Sequence, residues 1–525
     1  MAEPRAREPV VAPRGAVSAG HPLVASAALR QLANGGSVVD AIVAASAVAA
    51  AVEPAWCGLG GDAFLLLHRA GGATEVVNGS GAAPLALDDG AVGERTVPRF
   101  GPLSIAVPGL PGVWAWATTR TTRALTDLVA DAIAYARDGF PVYPRLARAI
   151  AALDTTAISP ALADLLARNG RAVGEGFRQG ELARSLEEVV ADLDGFYRGT
   201  LARTLVRALA ERGARIADAD LAAHRTESVA PLRVAYRGRE VLTHPPVSLG
   251  VVLLAALRVL ETLPTEGLAP DDPRRVTLEI AAIASAFADV DATAGDPTAA
   301  RVPIDWLLSD ERAREWHDRI VSGERARDPR PVTAGSDTTA MVVADAAGNV
   351  AVLLQSLFNE WGSREIATGT GILLNDRLAN LPVGGDQPNR LLPGKRPLHT
   401  LHAWLVLDRG EAVLAGATPG GRGQPQTNLQ VISRVLDSGL DIQAAIDRPR
   451  WLRGLPRRGP EDKTVYLEPG FAPEVAVALR AAGHPVEDAP SGGIEPFGGA
   501  SVIQRRSGAL FAASDARRGG SAIGW

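Results

Sequence analysis

"SDTTAMVVAD" (336–345) sets two threonines directly in front of a short apolar run. That run meets the turn-forming "AAGN" (346–349), and "VAVLL" (350–354) follows. Apolar, β-prone residues on both sides of a short Gly/Asn turn predict a β-hairpin. Its first strand begins at a hydroxyl, Thr338, near the middle of a 525-residue chain.

Outward from the hairpin the chain has two characters. Downstream, strand-like runs recur at 401–407, 412–416, 500–504 and 509–513, with a few helices between. Immediately upstream, "GERARDPRPVTAG" (323–335) is charged, Pro-bearing and Gly-ended, which is linker chemistry. Further upstream the pattern is mostly helical, through 111–225 and again up to about 322. Strand character interrupts it at 232–246 and in "DAFLLLHRAGGATEVVNGS" (62–80), a second hairpin. "HPLVASAALRQLANGG" (21–36) predicts a helix with Pro22 near its start. Ser37 and Asp40 have capping-box spacing and open a second, Ala-rich helix that should be buried. Residues 1–20 read as an extended lead-in. Hairpins with helices grouped apart predict an α+β fold of antiparallel sheets covered by helices.

Composition excludes several functions. The chain is 46% hydrophobic with a formal net charge of −5, so it can bury a large core and offers no basic surface for nucleic acid. No apolar run reaches the length of a membrane span and no signal-peptide core is visible, so the expected location is cytoplasmic. The single cysteine, Cys57, permits neither an intrachain disulfide nor a Cys-rich metal site and is expected to be buried. "GLGGDA" (58–63) follows a helix and precedes a strand, the reverse of the order a dinucleotide fingerprint needs. "HTLH" (399–402) lacks the glutamate of a zincin motif, and no G-x-S-x-G elbow or Walker loop is present. No cofactor or metal is expected.

Two threonines before a strand are ordinarily only β-propensity. Chemistry arises if the Asp337–Thr338 bond is cut. The freed threonine carries an α-amine with a reference pKa of about 7.7–8.0 beside its own hydroxyl, a nucleophile and base on one residue. The hydroxyl of Thr338 can make the cut itself, by attacking the Asp337 carbonyl to give an ester that water hydrolyses.

The sequence resembles the γ-glutamyltransferase family of self-cleaving N-terminal-nucleophile hydrolases. The resemblance rests on blocks in the expected order: "LANGGSVVDAIVAASAVAAAVEPAWCGLGGDAFLLL", "FADVDATAGDP" (287–297), "VPIDWLLSD" (302–310), "DTTAMVVADAAGNVAVLLQS", "GTGILLND" (369–376), "GKRPLHTLHAWLVL" (394–407) and "GATPGGRGQPQ" (416–426). It implies a four-layer αββα sandwich, cut into a large chain 1–337 and a small chain 338–525 that together form one unit. It also implies Thr338 as nucleophile, Ser356 as a second hydroxyl bonded to it, and the Gly420 and Gly421 N–H groups as an oxyanion hole. A backbone without side chains suits that last role.

Departures from the family pattern bear on substrate. Ser80, in "NGSGAAP" (78–84), stands where the family carries the Arg that grips the γ-glutamyl carboxylate. Ala379 and Asn380 replace an Asp pair for the substrate amine, and His399 and Thr400 replace a Ser pair. The pattern is closer to the branch that includes cephalosporin-acylase-like proteins and oxamate amidohydrolases. His399, Arg422 and Arg377 are the remaining basic candidates to receive a carboxylate, each with an alternative structural role, and Trp361 is either pocket lining or core.

The expectation is a self-processing Thr amidohydrolase that cleaves a small carboxylate-bearing amide through an acyl-enzyme. Glutathione-type γ-glutamyl transfer is the alternative within the class. An unprocessed homologue that binds a metabolite or partner without turnover is the alternative outside it. Homo-oligomerisation stays open.

Overall fold

The computed structural model describes residues 7–324, 326, 337–455, 462–489 and 497–525. The expected linker 323–335 lies almost wholly outside these. Two seven-stranded antiparallel sheets dominate the described residues. Sheet one runs, in spatial order, Ser521–Gly524, Gly15–Ala19, Asp337–Asp345, Val350–Phe358, Asp62–His68, Thr74–Gly79 and Glu227–Val229. Sheet two runs Val10–Ala12, Ala509–Ser514, Ser501–Arg506, Glu411–Ala417, Trp404–Asp408, Arg239–Thr243 and Leu232–Tyr236.

The hairpin at 337–358 forms as its pattern predicts, with Val342 opposite Val352 and Gly348 supplying a positive φ of 95° in the turn. It does not stand apart from the upstream portion. The Thr338 strand pairs on its other side with Gly15–Ala19, and the Ser356 strand pairs with Asp62–His68. The extended lead-in expected over 1–20 is more than a lead-in where it is described: Val10–Ala12 and Gly15–Ala19 are strands, one in each sheet. Their partners lie hundreds of residues away, so no local pattern announces them.

Alternation along the strands sorts the core. Phe64, Leu66, Val342, Val352 and Leu354 of sheet one pack with Leu242, Leu405, Ala415 and Ile503 of sheet two in one cluster. The opposite parity, Leu65, Met341, Val343 and Leu353, packs against helices Pro22–Ala33 and Val38–Val52. On the far side Val241, Trp404, Val406 and Val502 pack against helices Gly250–Thr262, Pro273–Thr293 and Gly423–Leu436. The result is a mixed α/β fold with two sheets sharing a core and helices over their other faces.

The Ser37/Asp40 capping box forms, and all fifteen residues of Val38–Val52 are buried. Their small alanines let the helix lie close to its neighbours, and its end delivers Glu53 to the start of the Thr338 strand.

Candidate active site

Side chains alternate between faces along a strand. Ala340, Val342 and Ala344 face the inter-sheet core, so Thr338 begins that row, while Thr339 points to the helix side. The same parity places Ser356 in line with Val352 and Leu354, and Asp62 in line with Phe64 and Leu66. The three strands are adjacent, and Ser356 sits opposite Asp62 in the ladder. Thr338, Ser356 and Asp62 therefore make a buried polar row at one end of sheet one.

Pairing breaks at this row. Asp337 pairs with Phe358 and Thr339 with Gln355, so Ser356 and Leu357 both lie opposite Thr338. Such a bulge re-aims side chains, and here it brings two hydroxyls onto one carbonyl. Thr338 Oγ1 lies 2.7 Å and Ser356 Oγ 2.6 Å from the Asp337 carbonyl oxygen, with 3.1 Å between the hydroxyls. Each hydroxyl has one hydrogen. Ser356 donates to the carbonyl, Thr338 donates to Ser356, and the Phe358 N–H donates to Ser356 Oγ at 2.8 Å. Phe358 takes a φ of 87°, a strained conformation for a bulky residue that costs on the order of 1–3 kcal/mol. Strain of that kind persists where several contacts hold it.

Charged groups flank the Asp337–Thr338 bond. The Asp337 carboxylate pairs with Arg518 at 3.3 Å and with Arg145 at 3.5 Å. Arg145 stacks on Trp56 at 3.7 Å and lies 3.8 Å from Glu53, whose Oε2 accepts from Thr339 at 2.8 Å. Burial raises the Glu53 carboxyl above the usual range despite Arg145 and Thr339. On the other flank Asp62 Oδ2 accepts from Arg377 Nε at 2.9 Å and lies 3.0 Å from His399 Nε2. Burial alone would raise the Asp62 carboxyl, yet Arg377 and His399 hold it below the ordinary range. Burial, with Arg377 acting in the same direction, pushes His399 down to about 4, so its imidazole is neutral near pH 7. Among the described residues both terminal nitrogens of Arg377 lack a hydrogen-bond partner although the side chain is fully buried. A buried donor left unsatisfied costs about 1–3 kcal/mol.

Sheet two brings the glycine pair to the same end. Ser501 pairs with Ala417 and its hydroxyl reaches the Ala340 carbonyl at 3.5 Å. Three residues past Ala417, the chain turns through Gly420 (φ 129°) and Gly421 (φ 55°) into helix Gly423–Leu436. Among the described residues neither glycine N–H has a protein acceptor.

A family model described as Gamma-glutamyltranspeptidase matches residues 24–525. The chain belongs to the gamma-glutamyltranspeptidase family. It is therefore an enzyme of the amide-hydrolase and acyltransferase kind. It is 35% identical to the Glutathione hydrolase-like YwrD proenzyme of Bacillus subtilis (strain 168), over 98% of this chain and 99% of that protein. It is also 35% identical to the Oxamate amidohydrolase proenzyme of Klebsiella pneumoniae, again over 98% and 99%. The crystal structure of cephalosporin acylase from Bacillus halodurans superposes with a TM-score of 0.91 at 32% identity, covering 100% of this chain and 98% of that one.

Other residues singled out in this gamma-glutamyltranspeptidase relative fall in varied places. Ser80 is buried and donates to Asn78 Oδ1 at 2.6 Å, and no cation stands at its position. Thr400 is buried beside His399, its carbonyl accepting from His402 Nδ1 at 3.0 Å. Asn380 is exposed on a turn with a φ of 58°. Arg422 is spent on a two-point pair with Asp291 at 2.9 and 2.5 Å and lies over Phe287. Trp361 is core, donating to the Ala149 carbonyl at 3.0 Å. Cys57 is buried, as its apolar setting predicts. Sequence reasoning did not single out Glu53, Asp62, Arg145 or Arg518. Asp62 lies inside "GLGGDA", at the start of a predicted strand, but nothing local in the sequence marks any of the four as part of the site.

Proposed function

We propose that this protein is a self-processing Thr amidohydrolase that cleaves a small carboxylate-bearing amide. The observation that carries the reading is the hydrogen-bonded run from Thr338 through Ser356 to the Asp337 carbonyl. In it Ser356 polarises the carbonyl that Thr338 Oγ attacks. The C–N bond of the peptide breaks as the C–O bond forms, the nitrogen keeps its proton and gains another, and water hydrolyses the ester. Products are chains 1–337 and 338–525, which remain together as one αββα unit. The paired sheets with helices over both outer faces support that layering.

In turnover, the new amine of Thr338 takes the hydroxyl proton as Oγ attacks the substrate carbonyl. The amine passes the proton to the leaving nitrogen, and water then releases the acid from the ester. The Gly420 and Gly421 N–H groups hold the oxyanion, and Ser356 orients the nucleophile. The word "proenzyme" in both relatives' names supports processing, and the oxamate name supports an amide acid as substrate. Glutathione-type γ-glutamyl transfer is a second reading, favoured by the family model's name. Against it stands Ser80, which offers a hydroxyl already bound to Asn78 where a guanidinium would be needed.

A denaturing gel of mature protein should show two unequal bands, and Thr338→Ala should show one band and no amide hydrolysis. An unbroken, active wild-type chain, or cleavage of Thr338→Ala at the same bond, overturns the proposal. Faster turnover of a γ-glutamyl anilide than of oxamate would favour the second reading.

A further inference from the structure

Three basic residues were left by the sequence to receive a substrate carboxylate, and their surroundings separate them. Arg422 has both terminal nitrogens bonded to Asp291. His399 is held to Asp62 and packs on Phe64, its ring centroid 4.6 Å away. Arg377 differs in its terminal nitrogens: its Nε is bonded to Asp62, and among the described residues Nη1 and Nη2 have no partner.

Resting on the hydrolase reading above, we propose that Arg377 receives the carboxylate of the substrate and so makes the enzyme selective for short amide acids. The guanidinium is fixed from two sides, by Asp62 at 2.9 Å and by the face of Phe358 at 4.3 Å. The Asp62 carboxylate is itself held by His399 at 3.0 Å and the Gly81 N–H at 3.3 Å, so it does not swing to cover the free edge. The neighbouring Asp376 is engaged by the Asn359 N–H at 2.9 Å and side-chain amide at 2.6 Å. What remains is a planar fork of two N–H donors, the shape that matches a carboxylate at two points.

Location sets the length of the ligand. Phe358, beneath the guanidinium, is two residues from Ser356 and bonds its hydroxyl. Asp62 is the cross-strand neighbour of Ser356, a spacing of about 5 Å between side-chain origins. A carboxylate on Arg377 thus lies a short spacer from a carbonyl at Thr338. In the uncut chain Asp337 is the cross-strand partner of Phe358, with its carboxylate turned to Arg145 and Arg518, so cleavage ahead of Thr338 releases the strand end beside Phe358. A zwitterionic head would set its ammonium against the same fork, which disfavours α-amino acid substrates.

The test compares mature wild type, Arg377→Met and Arg377→Lys on oxamate and on its neutral diamide, oxamide. Wild type should prefer the acid by at least about 100-fold in kcat/KM, a range typical of a paired buried charge. Arg377→Met should lose most of that preference through KM, and Arg377→Lys should keep part of it. A two-band gel certifies that each variant has folded and cut itself. If neither variant cuts, wild type decides alone: oxalate should inhibit competitively and oxamide should not. Equal wild-type turnover of acid and diamide, full preference in Arg377→Met, or no inhibition by oxalate overturns the assignment. Cut protein with no amide hydrolysis at all counts instead against the hydrolase reading.

Discussion

Ser356 carries more of the proposed self-cleavage than its type suggests. Its one hydroxyl donates to the scissile carbonyl, accepts from Thr338 and accepts from the Phe358 N–H. Charge that develops on the carbonyl oxygen during attack meets a donor already in place, and removing one such donor typically costs about 10²–10³ in rate. Ser356→Ala should therefore slow the appearance of two bands by on the order of 100-fold, followed by timed gels after synthesis. Cleavage at the wild-type rate would remove Ser356 from the reaction. Thr339 shows how parity divides labour: one residue further along, its hydroxyl turns away to Glu53.

The loop "GLGG" matters because it lies against the end of the Ser356 strand. A Cβ on Gly61 would stand 2.5 Å from the Ser356 carbonyl oxygen, and one on Gly60 would stand 2.2 Å from that of Leu373. Gly58 is different, since the nearest atom to its Cβ would be 3.9 Å away. Gly61→Ala must push the strand end aside, so a stability loss of about 1–3 kcal/mol is expected together with slower self-cleavage. Gly58→Ala should be close to wild type in both. Urea midpoints and gels on the two variants check this, and equal behaviour would show that the loop does not position Ser356. The motif that resembles a nucleotide loop thus acts through close backbone contact.

Across the molecule, buried histidines set the response to acid. Burial pushes His21, His224, His399 and His402 down to about 4 and His244 to about 3. Between these values and the ordinary 6.5 the unfolded chain binds protons that the folded one refuses, so stability falls as pH falls through that window. Asp376, raised to about 6 by burial, and Glu53 and Glu279, also raised by burial, act in the opposite sense. With His68, also lowered by burial, six histidines outnumber three carboxylates among the described residues. The urea midpoint at pH 5 should lie below that at pH 7, and an unchanged or higher midpoint would show that the histidines are protonated in the fold.

Much of the architecture was legible because it is local. The 337–358 hairpin, the Ser37 capping box and the buried Ala-rich helix follow from turn chemistry, cap spacing and apolar periodicity. The order of seven blocks carried the family, which the match over 24–525 bears out. The lead-in strands and the pairing of Ser356 with Asp62 were not legible, since antiparallel partners far apart leave no sequence period. Nor was the choice among His399, Arg422 and Arg377 as cation. Whether a charge is spent or free depends on which carboxylate folding brings beside it, and Asp291 and Asp62 arrive from 131 and 315 residues away.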